Sequence, residues 1–177
     1  MFIILEGIDC AGKSWAAEYT SKNLCNTIYL KHWNIPKPNS DKDIALLRRT
    51  YRTILDFYTK MIGPRGGNLV IDRYYPSELV YSKVKRQYEA FNSSHYTELE
   101  YEVADLDHAL LYVHAPMGEV IKRLNYRGDS SIEPGDLIQL EERYQRFLKQ
   151  TILNVHKILS GSEDLDNFIK SIPNQEI

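Results

Sequence analysis

The stretch GIDCAGKS, from Gly7 to Ser14, decides the fold of this chain. It follows the apolar run MFIILE and precedes a segment with helical spacing that begins at Trp15. The pattern G-x-x-x-x-G-K-S between a buried strand and a helix is typical of a phosphate-binding loop. The alternative, a glycine-rich turn with a solvated lysine, leaves this placement unexplained. The stretch therefore predicts a P-loop that binds a nucleoside triphosphate.

The chemistry of a P-loop gives each residue type a role. Glycines let the backbone curl so that N–H groups point at phosphate oxygens, and the helix N-terminus adds its positive end. We expect Lys13 to reach the β and γ phosphates and the Ser14 hydroxyl to ligate Mg²⁺. ATP and Mg²⁺ are the expected cofactors. The predicted ATP-binding residues are Gly7, Asp9, Cys10, Ala11, Gly12, Lys13 and Ser14.

Composition limits the class of protein. The chain has 177 residues, 43% of them hydrophobic, which predicts one P-loop domain over residues 1–177. Its 22 basic and 24 acidic residues give a net charge of -2, so no global basic field is available for a nucleic acid. Cys10 and Cys25 lack metal-ligand spacing. Without a signal-peptide pattern or a run of bilayer length, we expect a cytoplasmic protein with no membrane partner.

Short apolar runs alternate with helical segments along the chain. The runs FIIL, NTIYL, NLVID, HALLYVHA and VHKIL are candidate strands. The last is ambiguous, because NVHKILSG equally suits the end of the preceding helix. Alternation predicts a three-layer α/β P-loop fold, a mostly parallel five-stranded sheet flanked by helices. Helices are expected at Trp15–Leu24, Asp41–Met61, Pro76–Phe91, Thr97–Asp105, Met117–Tyr126 and Leu137–Thr151.

A second motif, VIDRYYPSELVYS, places Asp72 and Arg73 at the carboxyl end of a buried strand. Open α/β sheets bind ligands at this edge. Asp72 is expected to orient Mg²⁺ and Arg73 to bind a transferring phosphoryl group, and the alternative is a surface salt bridge. The Asn-Lys-x-Asp element of GTPases is not in the sequence.

Both motifs resemble those of thymidylate kinases. FIILEGIDCAGKS is similar to the opening of that family, and DRYYPSELVYS to its Asp-Arg-Tyr element with a following serine and tyrosine. LDHALLYVHAP, GEVIKRLNYRGD and EERYQRFL are similar to its fourth strand, its Arg-bearing lid and the next helix. Cys10 stands where the family has glycine, and Trp15 where it has a small residue. The resemblance implies a nucleoside monophosphate kinase, and family members commonly form homodimers.

The resemblance also implies roles for residues after the P-loop. Because the P-loop has no arginine, catalytic arginines are expected in a lid over about residues 123–136, with Arg123 and Arg127 closing over the phosphates. A mobile surface loop with incidental charge is the alternative. Ser77 and Tyr81 share a helix face, and the family's tyrosine crowds the 2′ position of the sugar. A core-packing tyrosine is equally compatible with the sequence.

Two further segments of the sequence indicate the chemical class of the acceptor. Deoxynucleoside kinases need a carboxylate base near the end of the second strand, whereas KHWNIPKP is basic and aromatic, which favours an acceptor that already carries phosphate. Arg48 and Arg52 lie on one helix face, where they either read a base or form a solvated surface above core aromatics. The predicted substrate-binding residues are Asp9, Trp33, Pro36, Arg48, Arg52, Arg73, Ser77 and Tyr81.

The sequence thus predicts ATP-dependent phosphorylation of a deoxynucleoside monophosphate, dTMP or a related pyrimidine nucleotide. A deoxynucleoside kinase is one alternative, and a non-kinase ATP-binding switch or assembly factor is another. The predicted metal ligands are Ser14 and Asp72. The predicted catalytic residues are Lys13, Asp72, Arg73, Arg123 and Arg127.

Overall fold

A computed structural model describes residues 1–31, 38–86, 93–128 and 132–173. Five strands form one fully parallel sheet in the order β2-β3-β1-β4-β5. The strands are β1 (Phe2–Glu6), β2 (Thr27–Leu30), β3 (Asn68–Asp72), β4 (His108–His114) and β5 (Val155–Leu159). The predicted α/β fold is confirmed, and the ambiguous fifth run is a strand that pairs with β4.

Helices cover both faces of the sheet. They are α1 (Lys13–Asn23), α2 (Asp41–Phe57), α3 (Tyr75–Tyr81), α4 (Ser93–Ala104), α5 (Met117–Arg127), α6 (Pro134–Gln150) and α7 (Asp164–Ser171). π-Helical turns extend α2 through Tyr58–Ile62 and α3 through Ser82–Arg86. The expected helix to Phe91 runs into residues 87–92, which lie outside the described residues.

Helix α7 was not predicted from the sequence. Its buried Leu165 and Phe168 have the i, i+3 spacing of a helix that packs one face. The helix has only eight residues and follows the polar stretch SGSE, so the periodic signal is short. Its position matters for the site, because it packs beside β5 and α1.

The core has two sides because strand side chains alternate between the faces of the sheet. Phe2 and Ile4 of β1 belong to an apolar cluster with α2, whereas Ile3 and Leu5 belong to a cluster with α1 and α7. A third cluster, around Tyr144, joins α3, α5 and α6 to β4. All five residues of both β1 and β3 are buried, which explains their continuous apolar sequences.

The parallel register brings several chemically active segments to one edge. Leu5 of β1 lies opposite Asp72 of β3, and Glu6 lies opposite Tyr112 of β4. The P-loop leaves the end of β1, so it lies between the segments that follow β3 and β4. Within the described residues, no helix combines the length and apolarity needed to cross a membrane.

Candidate active site

The P-loop requires glycine at two positions. Gly7 has φ 142° and Gly12 has φ 103°, in the region that L side chains rarely adopt. A Cβ at Gly7 would lie 2.2 Å from the carbonyl oxygen of Val113, and one at Gly12 would lie 2.7 Å from Oγ of Ser160. Cys10 also has a positive φ, 61°, which accounts for the glycine at this place in the resembling family.

Lys13 is a buried cation at the start of α1. Its side chain is only slightly exposed, and Nζ donates a 2.6 Å hydrogen bond to the carbonyl oxygen of Ile8. Burial, followed by repulsion from the Arg73 guanidinium, lowers the pKa of Lys13 to about 8. The carboxylates of Asp9, Asp72 and Glu6 partly oppose this lowering, and a triphosphate in the loop would add more negative charge.

The two predicted metal ligands are in direct contact. Oγ of Ser14 donates a 2.6 Å hydrogen bond to Oδ2 of Asp72. The other carboxylate oxygen of Asp72 is buried and has no hydrogen-bond partner among the described residues. Mg²⁺ binds hard oxygens and commonly takes one or two protein ligands beside phosphates and water. This hydroxyl-carboxylate pair therefore fits Mg²⁺ held together with a bound nucleotide.

Arg73 is in the site and is not a surface salt bridge. Its side chain is 8% exposed, and its backbone has φ 72°, so the chain turns sharply directly after β3. Nη2 donates to Oδ1 of Asp9 at 2.6 Å and to the Tyr81 hydroxyl at 2.9 Å. Nη1 donates to the Gly7 carbonyl oxygen at 3.3 Å and to Oγ of Ser77 at 3.2 Å. The planar guanidinium thus joins the P-loop to α3.

Asp9 and Tyr81 form a cluster of hydrogen-bonded side chains with Arg73. The Tyr81 hydroxyl donates a 2.8 Å hydrogen bond to Oδ2 of Asp9, and the Tyr81 ring centre lies 4.4 Å from Cζ of Arg73. Burial opposes ionisation of Asp9, but the charges of Arg73 and Lys13 and the bond from Tyr81 outweigh it and lower the pKa of Asp9. Asp9 is therefore an ionised acceptor at neutral pH.

Sequence reasoning missed two residues that support this cluster, Glu6 and Tyr144. Glu6 is fully buried and accepts hydrogen bonds from the Tyr74 backbone N–H at 2.9 Å, from the Ser77 hydroxyl at 2.6 Å and from the Tyr144 hydroxyl at 2.8 Å. Burial raises the pKa of Glu6, and the nearby Arg73 charge opposes that rise. A lone carboxylate at the end of an apolar strand was the available signal for Glu6. Tyr144 had none, because it lies far away on α6.

A pocket of about 750 Å³ opens at this edge of the sheet. Its walls carry more basic than acidic side chains, although the whole chain has a net charge of -2. This arrangement suits a ligand with several negative charges. The basic residues are Lys13, Lys31, Arg73, Lys85, Arg123 and Arg127, and the acidic residues are Asp9, Asp72 and Glu78. Ser77 and Tyr81 also line the pocket, one turn apart on α3.

The two arginines predicted for a lid lie on α5. Nη1 of Arg123 donates to the Cys10 carbonyl oxygen and to Oγ of Ser160, both at 3.3 Å. Arg127 is the last residue of α5, and both side chains line the pocket. Residues 129–131 of the expected lid lie outside the described residues. The action of this segment as a lid stays a prediction.

Four substrate-binding candidates remain to be compared with the pocket. Neither Arg48 nor Arg52 appears among the described residues that line it. Arg52 instead forms an exposed ion pair with Glu102 of α4. Tyr51 and Tyr58 lie in the core, because their side of the helix faces the sheet. The alternative interpretation, a solvated basic surface above core aromatics, predicted this placement. Trp33 and Pro36 fall in residues 32–37, which lie outside the described residues.

The chain resembles known proteins both in sequence and in structure. No protein-family profile matches the sequence. The SPbeta prophage-derived protein YorR of Bacillus subtilis is 28% identical over 170 residues, which are 96% of this chain and 95% of YorR. A crystal structure of YorR in complex with phosphorylated GDP has a TM-score of 0.76 and 26% identity, and the match covers 97% of this chain and 93% of that one.

Two more distant structures share the fold. Deoxyadenosine kinase from M. mycoides with bound dATP has a TM-score of 0.65 at 17% identity, covering 96% of this chain and 98% of that one. Thymidylate kinase from Ehrlichia chaffeensis has a TM-score of 0.52 at 18% identity, covering 96% and 94%. The likeness therefore extends to kinases of nucleosides and of nucleotides, and does not single out thymidylate kinases. The chain has the fold of P-loop nucleoside and nucleotide kinases.

Proposed function

We propose that this chain transfers the γ-phosphoryl group of ATP to a deoxynucleoside monophosphate, with dTMP or a related pyrimidine nucleotide as the first choice. The observation that carries the proposal is the pocket, in which the P-loop cation Lys13 and the strand-end cation Arg73 face the same space. Four further basic side chains line it. A triphosphate donor and a phosphorylated acceptor together need this density of positive charge.

The donor side consists of Lys13, Ser14 and Asp72. Lys13 would place its ammonium on the β and γ phosphates, after exchanging the Ile8 carbonyl oxygen for a phosphate oxygen. Ser14 and Asp72 would hold Mg²⁺, which when bound neutralises charge on the β and γ phosphates. Arg123 reaches the P-loop carbonyl oxygen of Cys10, so it can stabilise charge on the same phosphates.

The acceptor side consists of Arg73, Asp9 and Tyr81. Arg73 donates hydrogen bonds to five side-chain or backbone oxygens, so its planar edge is fixed before substrate binds. An acceptor phosphate is already ionised and needs no general base, which leaves Asp9 to accept a hydroxyl of the sugar. The Tyr81 ring is pinned between Asp9 and Arg73, where it would exclude a 2′-hydroxyl.

A deoxynucleoside kinase is the second candidate, and a specific observation favours it. Two carboxylates in addition to the metal ligand, Asp9 and Glu78, line the pocket. A neutral 5′-hydroxyl needs a base of this kind. The sequence-based argument that no carboxylate is available at the end of β2 does not apply to these residues, because they come from the P-loop and α3.

An acceptor screen tests the proposal. Purified protein is incubated with Mg-ATP and each deoxy- and ribonucleoside and its monophosphate, and products are separated by anion exchange. Guanine compounds are included as acceptors and GTP as donor, because the YorR structure contains phosphorylated GDP. A Lys13→Ala sample controls for contaminating kinases. Phosphorylation of dTMP but not thymidine is expected.

The other outcomes identify the alternatives. Phosphorylation of nucleosides alone would establish the second candidate, and ATP binding with no acceptor consumed would indicate a switch or assembly factor. Size-exclusion chromatography with light scattering on the same sample tests the homodimer that the family resemblance implies. Cytoplasmic location stays a prediction from the sequence.

A further inference from the structure

Trp15 is an unusual residue for the first turn of α1. It directly follows the Lys-Ser pair of the P-loop, is 55% exposed and lines the pocket. One face of its indole stacks on Tyr19, with ring centres 5.2 Å apart and an angle of 22° between the planes. The indole is therefore held in place on one side while much of its surface stays open.

The contacts of Tyr19 show which side of the pocket Trp15 occupies. The Tyr19 hydroxyl bonds to Asp166 of α7, and its ring packs against the apolar cluster that α1 and α7 share. Tyr81, by contrast, belongs to the cluster formed by α3, α5 and α6. Trp15 and Tyr81 thus stand on opposite sides of the strand ends. Trp15 and the proposed acceptor residue Tyr81 therefore belong to different walls of one pocket.

The P-loop gives the direction of a bound donor. The first N–H groups of α1 and the loop hold the phosphates, and Lys13 takes the β and γ groups. The γ phosphate must point to Arg73 for transfer, so the ribose and base must leave the loop on the other side. That side carries Trp15, together with the β5-α7 segment, whose Ser160 accepts a hydrogen bond from Arg123 and leaves no room for a Cβ at Gly12.

We propose that Trp15 is the stacking surface for the purine base of the donor nucleoside triphosphate. This inference rests on the proposed kinase function, since it assumes that the P-loop holds a triphosphate. The open indole face matches a purine in size and shape, and stacking on an aromatic ring tolerates different bases. Tyr19 holds the indole before the base arrives, which lowers the entropic cost of binding.

Fluorescence tests the contact directly. The chain has two tryptophans, so Trp33→Phe leaves Trp15 as the single emitter. Mg-ATP is expected to quench this emission with the same Kd that calorimetry gives for binding. Mg-tripolyphosphate, which has the phosphates but no base, is expected to bind without comparable quenching.

Affinity measurements provide the second test. Trp15→Ala is expected to weaken ATP binding by about tenfold, the scale of one lost base stack, and to leave tripolyphosphate binding unchanged. Trp15→Phe should retain most of the ATP affinity. Tyr101→Ala is the matched control, because Tyr101 is 59% exposed on α4 and is not among the described residues that line the pocket.

The two proposals fail in different ways. ATP binding without any change in Trp15 emission, or equal weakening of ATP and tripolyphosphate in Trp15→Ala, would overturn the stacking role and leave the kinase proposal standing. Failure of the wild-type protein to bind either compound would overturn both.

Discussion

Nη2 of Arg73 lies 2.6 Å from Oδ1 of Asp9, and this ion pair joins the segment after β3 to the P-loop. The pair is mostly shielded from water, with the two side chains 8% and 25% exposed. It therefore fixes the acceptor side of the pocket relative to the P-loop backbone. The Tyr81 hydroxyl contacts both members, which makes the three side chains a single hydrogen-bonded unit.

Arg73→Lys tests whether this unit serves the reaction. Lysine keeps the positive charge beside Glu6 but cannot contact Asp9, Ser77 and Tyr81 at once. We expect kcat to fall at least about tenfold, because a lysine ammonium cannot offer the two parallel N–H donors of a guanidinium to a transferring phosphoryl group. The melting temperature should also fall, because these hydrogen bonds exist in the folded protein without substrate, so kcat is measured well below it.

The matched control for Arg73 is Arg65→Lys. Arg65 is exposed, and its Nη1 donates to the carbonyl oxygen of Met61. Steady-state kinetics of both variants decide the matter. Unchanged kcat and KM in Arg73→Lys would assign this residue to folding alone.

The position of Tyr81 leads us to predict that the enzyme prefers acceptors with deoxyribose. Tyr81→Ala removes the ring that occupies the space beside Asp9, so the ratio of kcat/KM for dTMP to that for its ribonucleotide should fall. Tyr81→Phe keeps the ring and loses the bond to Asp9, so the ratio should be largely retained. An unchanged ratio in a folded Ala variant would show that Tyr81 does not contact the sugar.

The assignment of Asp72 as a metal ligand leads to a prediction of how activity depends on the magnesium concentration. Asp72→Asn keeps the shape of the side chain but removes the negative charge of the group that accepts the hydrogen bond from the Ser14 hydroxyl. The Mg²⁺ concentration for half-maximal activity should rise about tenfold or more, and chelation with EDTA should abolish wild-type activity. Asp56→Asn, which removes an exposed partner of Lys60, is the control. A Mg²⁺ requirement that Asp72→Asn leaves unaltered would contradict the assigned metal site.

The lowered pKa of Lys13 leads to a prediction of how ATP affinity changes with pH. Its pKa in the free protein is lowered to about 8, and bound phosphates raise the pKa again because they favour the ammonium form. ATP affinity should therefore be complete below pH 8 and fall as pH rises through that value, approaching tenfold per pH unit. Calorimetry between about pH 7 and about pH 10 measures this fall.

Two features keep the pH experiment interpretable. Lys13→Arg cannot lose its proton in this range, so a fall of equal steepness in that variant would assign the effect to another group. In the absence of ligand, Lys13 affects the stability of the protein with the opposite dependence on pH. The folded pKa of Lys13 lies below its ordinary value of 10.5, so this group's contribution to the free energy of unfolding rises with pH between about 8 and 10.5.

The fold was predictable because its signals are local. Five short apolar runs and a glycine-rich turn in the right context determined the strands and the P-loop. The strand order and register were not predicted, because strands that are buried on both faces lack the alternating pattern that would fix them. Helix α7 was missed because eight residues give little periodicity, although Leu165 and Phe168 carry it.

The grouping of the candidate site residues could be predicted where short motifs carry the information. Ser14 and Asp72 come from two recognisable motifs, and the structure places them 2.6 Å apart. Glu6 and Tyr144 were not predicted, because they are 138 residues apart and their contact depends on tertiary packing. Arg52 was misplaced for a related reason. A helical wheel shows which residues share a face but not which neighbour that face meets, here Glu102.

Transfer of labelled phosphate tests the central claim most directly. Wild-type protein and Lys13→Ala are incubated with Mg²⁺, γ-labelled ATP and either dTMP or thymidine, and the labelled product is identified. The account predicts labelled dTDP from the wild type and at least about a hundredfold less from Lys13→Ala, with near-native melting because the lost group is a buried cation with a lowered pKa. Lys13→Ala activity within a few fold of wild type, or no labelled product from any nucleotide acceptor, would contradict it.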